Sequence, residues 1–182
     1  MSRKYKFGDN DKLYFISFAV VYWIDLFIRN EYKDILIESW RYCQKEKEFE
    51  IYGWCIMSSH VHMIIGSKGR PLEKVVGEMK SFTSRSLRKA IESHPGESRK
   101  EWMLWMMQRA GLKNGNNKDW QLWQQHNQPT ELITIDMFHQ KLNYIHYNPV
   151  EAGFAEHEED YWYSSARDFH GKKGFIELSY IG

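Results

Sequence analysis

The order of apolar patterns along the chain predicts an α+β fold: an antiparallel sheet with helices on one face and a last helix over the other. Three observations carry that expectation. Runs rich in β-branched and aromatic residues alternate with stretches of helical period, in the order β-α-β-β-α-(α)-β. Only Ser58-Ser59 separates the second and third runs, the spacing of an antiparallel hairpin. A further amphipathic stretch, Ile135 to Tyr147, comes after the last strand.

Leu13 to Val21 is the first strand. From about Asn30 the period changes. Tyr32, Ile35, Leu36, Ser39, Trp40 and Cys43 fall at helical spacing, and the charged run Lys45 to Glu48 closes that helix. Phe49 to Met57 is the second strand and His60 to Gly66 the third. Pro71 suits the first turn of a long helix whose apolar positions are Leu72, Val75, Val76, Met79, Phe82, Leu87 and Ala90, ended by His94-Pro95-Gly96. Its other face carries Lys80, Ser81, Ser84, Arg85 and Arg88. These cations and hydroxyls suit a phosphate backbone as well as plain solvation, and Lys80, Arg85 and Arg88 are the candidate DNA contacts. Glu101 to Met107 is apolar enough for another helix, Ala110 to Asp119 reads as a mobile loop, and Trp120 to Gln125 as a fourth, edge strand. The pattern is close to that of ferredoxin-like folds, in which both helices cover one face of the sheet.

The 182 residues are expected to form a single domain, 1–182, with 150–182 as a C-terminal extension. A hydrophobic share of 42% and an aromatic share of 16% exclude a disordered chain, and some of the rings suit base stacking. A net charge of +1 gives little general attraction to nucleic acid, but the stretch Lys68 to Lys118 is strongly basic and the segment from Glu151 onward acidic. Cys43 and Cys55 lack CxxC spacing and read as buried free thiols of a reducing compartment. The N-terminus has no apolar core of a leader, and no run of about 18 apolar residues occurs. The expectation is a soluble, cytoplasmic protein without a membrane partner.

Chemistry concentrates in two places. In Trp54 to Ile65, His60 and His62 stand two apart at the start of a strand and share a face, while Val61, Met63 and Ile65 point the other way, into a core. In the helix capped by Thr134, Phe138, Leu142 and Ile145 form a buried stripe, and Met137, Lys141, Tyr144 and Asn148 a second one. Pro149 is expected to end the helix near Asn148. Two imidazole nitrogens and the Asn148 amide oxygen make a mixed N/O ligand set with open positions, suited to Mg²⁺ or Mn²⁺ rather than to a closed zinc site. Such an ion polarises a scissile phosphate. Tyr144 is then placed to attack the phosphorus and form a phosphotyrosine, with Lys141 to stabilise the phenolate or a phosphate oxygen. Tyr147, one residue before Asn148, suits the shared face less well. His126 and His146 read as structural or surface residues, and Tyr161-Trp162-Tyr163 as core packing.

The His60-Val61-His62 step after an apolar strand, followed by Tyr144-Ile145-His146-Tyr147-Asn148-Pro149-Val150, resembles the single-tyrosine HUH transposases, which include insertion-sequence transposases and REP-associated tyrosine transposases. Glu151 to Phe154 and Tyr161 to Phe169 are similar to the second group, and the resemblance runs from about Tyr14 to Phe169. It implies a ferredoxin-like catalytic domain with a divalent metal on His60 and His62, with Asn148 at the position of the third ligand. It also implies that Tyr144 cleaves single-stranded DNA beside a hairpin and stays joined to the 5′ phosphate. The extension after Val150 favours a monomer over the dimers of the insertion-sequence members. Two other functions compete: a hairpin-binding protein without turnover, and a metal-dependent hydrolase that uses water instead of Tyr144.

Overall fold

The computed structural model describes residues 7–9, 11–115, 119–125 and 129–181. Strands β1 (Tyr14–Ala19), β2 (Phe49–Ile56), β3 (His60–Ser67) and β4 (Thr130–Glu131) form one antiparallel sheet in the order β2-β3-β1-β4. β2 and β3 are the expected hairpin, closed by Met57 N–H donating to His60 O at 2.8 Å. Helix α1 (Asn30–Lys47) carries the chain from β1 to β2, on the far side of β3. Helices α2 (Leu72–Ser93) and α3 (Lys100–Leu112) bring it back to the β1 edge. Two β-α-β units thus interleave, which is the ferredoxin-like arrangement.

Strand alternation sorts the side chains into two cores. Ile16 and Phe18 of β1 and Val61, Met63 and Ile65 of β3 pack with Trp40 of α1, Val75 and Met79 of α2, and Met103 and Met107 of α3. On the opposite face Phe15, Tyr52, Cys55 and Ile64 pack with Phe138, Leu142 and Ile145 of helix α4 (Ile135–Glu151). Gly53 makes both possible on β2. A bulge between Ile51 and Gly53 resets the alternation, so Ile51 before it and Trp54 after it both enter the first core.

Several elements depart from the sequence expectation. The fourth strand is Thr130–Glu131, paired with Phe15 and Tyr14, whereas Trp120 to Gln125 contributes one bridge, Trp123 to Val20. Leu122 and Trp123 are consecutive and both buried, which a strand cannot arrange on one face. Trp123 packs on Phe18 and Phe27 and donates Nε1–H to Thr83 Oγ1 at 3.1 Å. Beyond Ala19, β1 gives way to a short 3₁₀ turn, Val21–Trp23. Helix α3 runs on to Leu112, so the expected loop begins later, and part of it lies outside the described residues.

Helix α4 also continues past Asn148 to Glu151 with Pro149 inside it. Its end is a Schellman closure: Phe154 N–H bonds Pro149 O at 2.8 Å, Gly153 N–H bonds Val150 O at 3.0 Å, and Gly153 takes φ 75°. That closure satisfies the last carbonyls, so the helix outlasts the local bias against it at Asn148.

After α4 the chain crosses to β2 and covers that strand's outer edge. Ile56 N–H bonds Tyr163 O at 2.9 Å, Ser165 N–H bonds Trp54 O at 2.9 Å, and Ser179 N–H bonds Ile51 O at 2.8 Å. Tyr163 is buried and donates to Asp34 Oδ1, Tyr161 donates to Ile56 O, and Trp162 stays exposed under Arg167. Core packing therefore describes two of the three aromatics. Beside the start of α1, Glu97 is buried between Arg29 and Arg99 at 2.9 and 3.0 Å. Burial alone would raise its pKa, but the hydrogen bonds from Arg99 and Arg29 prevail and hold it at about 2.

Candidate active site

His60 and His62 face the second core, with ring centroids 4.7 Å apart. Tyr144 comes down from α4 onto His62, 5.1 Å between centroids at 69°. It can reach because Leu142 and Ile145, on either side of it in sequence, anchor the helix to the sheet. Phe15 lies almost parallel to His62 at 5.7 Å and edge-on to Tyr144 at 6.0 Å. Lys141 extends over both rings, its Nζ 4.8 Å from the Phe15 centroid and 5.8 Å from that of Tyr144. Tyr144 is 45% exposed. Tyr147 is exposed as well, but its ring meets none of the site's rings. Asn148 is half-buried one turn beyond Tyr144.

Electrostatically the imidazoles are set to be neutral. Burial, with smaller pushes from His60 and Lys141, lowers the His62 pKa to about 3. Burial also lowers that of His60, against a raising influence from Asp25. Neutral imidazole is the form that ligates metals. Both ring nitrogens of His62 are buried without a hydrogen-bond partner among the described residues, a costly state that an ion would relieve. His60 Nδ1 lies 3.2 Å from Ser59 Oγ, which leaves Nε2 as its ligating atom. The described residues hold no group of three or more His, Cys, Asp or Glu side chains suited to a metal. An ion here would therefore complete its shell with amide or water oxygens, as hard cations do. The residues present fit such an ion.

The three α2 cations sit elsewhere. Helix α2 packs on the first core, across the sheet from the histidines. Lys80 donates to Gln124 O at 3.1 Å, its pKa pushed down to about 8 by burial. Arg85 donates to Ser81 Oγ at 2.7 Å, and Arg88 bonds Glu92 and covers the Trp120 ring. His146, buried, holds Ser165 Oγ at 2.9 Å and is structural. His126 lies outside the described residues. Sequence reading missed Phe15. Its signal was available in the parity of β1, where Phe15 and Ser17 share the face of His62 once Ser17 is paired with it.

The family model described as "Transposase IS200 like" matches residues 15–108, just over half of the chain, from β1 through most of α3. The chain belongs to the IS200-like transposase family. The matched stretch contains His60 and His62 and stops before α4. A solved structure described as "Structure of the REP associates tyrosine transposase bound to a REP hairpin" superposes with a TM-score of 0.66 at 17% sequence identity. That match covers 100% of this chain and 94% of the other, so the transposase fold extends over α4 and the C-terminal strap as well. No curated protein matches the chain in sequence. Among the described residues no helix is long and apolar enough to cross a membrane.

Proposed function

We propose that this transposase-family chain is a metal-dependent single-strand DNA nuclease and strand transferase of the REP-associated kind, acting beside DNA hairpins through a covalent 5′-phosphotyrosine. The packing of Tyr144 on His62, on a face that His60 shares, carries this reading. Tyr144 Oη attacks the phosphorus of a phosphodiester. The Oη–P bond forms, the P–O3′ bond breaks, the phenolic proton is released and the 3′ oxygen leaves as a hydroxyl. Attack of a 3′ hydroxyl on the phosphotyrosine reverses the step, so the bond energy is kept for religation or transfer to another strand. Lys141 places its ammonium beside the Tyr144 ring, where it stabilises negative charge on the phenolate or on a phosphate oxygen. His60, His62 and Asn148 would hold Mg²⁺ or Mn²⁺, which when bound polarises the scissile phosphate. Phe15 stacks on His62 and fixes the ring plane. Of the three α2 cations, Arg85 and Arg88 suit contacts to a phosphate backbone, whereas Lys80, its Nζ turned inward onto Gln124 O, does not. The chain acts as a monomeric catalytic unit, residues 1–182, with 150–182 as its extension.

The test is incubation of wild type and Tyr144→Phe with single-stranded DNA containing hairpins, in Mg²⁺ or Mn²⁺, read on a denaturing gel. A metal-dependent protein–DNA band that vanishes in Tyr144→Phe is expected. Cleavage without such a band in both proteins would assign the reaction to water, and binding without cleavage would leave a hairpin-binding module.

A further inference from the structure

Lys33 is a buried cation at an unfavourable position. It stands in the first turn of α1, the positive end of the helix dipole, and is only 8% exposed. Among the described residues its ammonium makes one long hydrogen bond, to Asn30 Oδ1 at 3.3 Å, and rests over the Tyr163 ring, 4.4 Å from the centroid. The neighbouring carboxylate, Asp34, accepts from the Tyr163 hydroxyl at 2.8 Å instead. Arg29, the N-cap of α1, makes no side-chain cap bond. A buried ammonium without a counter-charge is costly, and an anion beside it would relieve both the desolvation and the dipole. There is room for one. Lys33 lines a recess of about 400 Å³ between the start of α1, the turn after α4 and the C-terminal strap. Its walls are aromatic. Phe154 and Tyr161 stack at 6.3 Å and 24°, and Trp162 and Phe175 lie 6.2 Å apart at 40°. Phe154 and Trp162 are exposed although the core could have taken smaller, polar residues there at no loss.

We infer that this recess is a binding site for a small aromatic carboxylate, its anion on Lys33 and its ring among Phe154, Tyr161, Trp162 and Phe175. The inference does not depend on the proposed nuclease, none of whose residues line the recess. The sign of the ligand follows from Lys33, because the one carboxylate at the rim, Asp160, is bonded by Lys172 at 3.4 Å. A single ammonium without an arginine fork suits a monoanionic carboxylate better than a phosphate dianion. The rings favour a planar occupant, which gains offset or edge-on contacts that an aliphatic chain lacks. Arg167 already covers the Trp162 ring at 4.0 Å, which holds that wall in place.

The experiment is titration calorimetry of the full chain with 2-naphthoate, its uncharged analogue 2-naphthamide and the non-aromatic cyclohexanecarboxylate. Naphthoate should bind one site per chain and raise the melting temperature. The amide and the cyclohexane acid should each bind roughly tenfold more weakly or worse. Lys33→Met should bring naphthoate down to the level of the amide, and Phe154→Ala and Trp162→Ala should each weaken it roughly tenfold. Those two rings are exposed, so their variants and the amide keep the test open if Lys33→Met fails to fold. Equal binding of naphthoate and naphthamide overturns the site, as does undiminished binding in both ring variants. So does the absence of saturable binding up to about 1 mM naphthoate. Displacement of bound naphthoate by hairpin DNA that itself needs Lys33 would give the recess to nucleic acid and overturn the small-molecule site.

Discussion

His146 follows Tyr144 by two residues on α4, and its Nε2 reaches Ser165 Oγ at 2.9 Å, while Ser165 Oγ also accepts Trp54 N–H at 2.9 Å. One buried imidazole thus joins α4, β2 and the C-terminal strap. Burial, with a smaller push from His170, holds its pKa down to about 4. Between the unfolded value near 6.5 and about 4, the unfolded chain binds a proton that the folded chain refuses. Its contribution to stability is therefore complete above pH 6.5 and is lost as pH falls toward 4, by at most about 3 kcal/mol. Urea midpoints should drop across that window in wild type and drop less in His146→Gln. Lys141 belongs to the same scale. Lys141→Met keeps an unbranched side chain of similar length but removes the charge over Phe15 and beside Tyr144. Under the proposed chemistry, adduct formation followed by gel slows about 10- to 100-fold with the melting temperature unchanged.

At the scale of elements, the distance between α4 and β2 decides whether Tyr144 reaches His62. Gly53 sets that distance: a Cβ built on it would lie 2.5 Å from Leu142 Cδ1. Gly53→Ala should therefore force Leu142 to repack or α4 to shift, cost about 1–3 kcal/mol, and under the proposed chemistry slow adduct formation where α4 moves. Gly77, in the middle of α2 with open space around it, is the control. Gly77→Ala should raise stability by roughly 0.5–1 kcal/mol and leave the rate unchanged. The strands and the first two helices were legible because their apolar periods are clean. β4 was not, because a two-residue strand carries no period, and Trp120 to Gln125 imitated one while serving the core. The end of α4 was missed because a local rule about the residue before proline met a closure made by residues beyond it.

For the whole molecule the strap is the main addition to the sheet and its helices. Three backbone hydrogen bonds, from Ile56, Ser165 and Ser179, occupy the edge of β2, which would otherwise be open to another chain. Truncation after Asp160 should expose that edge. Light scattering and size-exclusion chromatography should then show aggregation, with a fall in melting temperature. A truncated protein that stays monodisperse at the wild-type melting temperature would show that the strap does not protect the edge.

By itself the sequence determined the element order, the two faces of β3 and the residue types available for chemistry, because periods of two and 3.6 are properties of the local backbone. The shared face of His60 and His62 follows from that alone. Only the tertiary structure decided that Tyr144 lies against His62, that Phe15 stacks beneath it, and that Trp23 borders the same site from the end of β1. It also put Lys80, Arg85 and Arg88 on the opposite side of the sheet. These relations depend on the β1–β3 register, the Gly53 bulge and the depth of α4, which packing sets between segments up to about 130 residues apart in the chain.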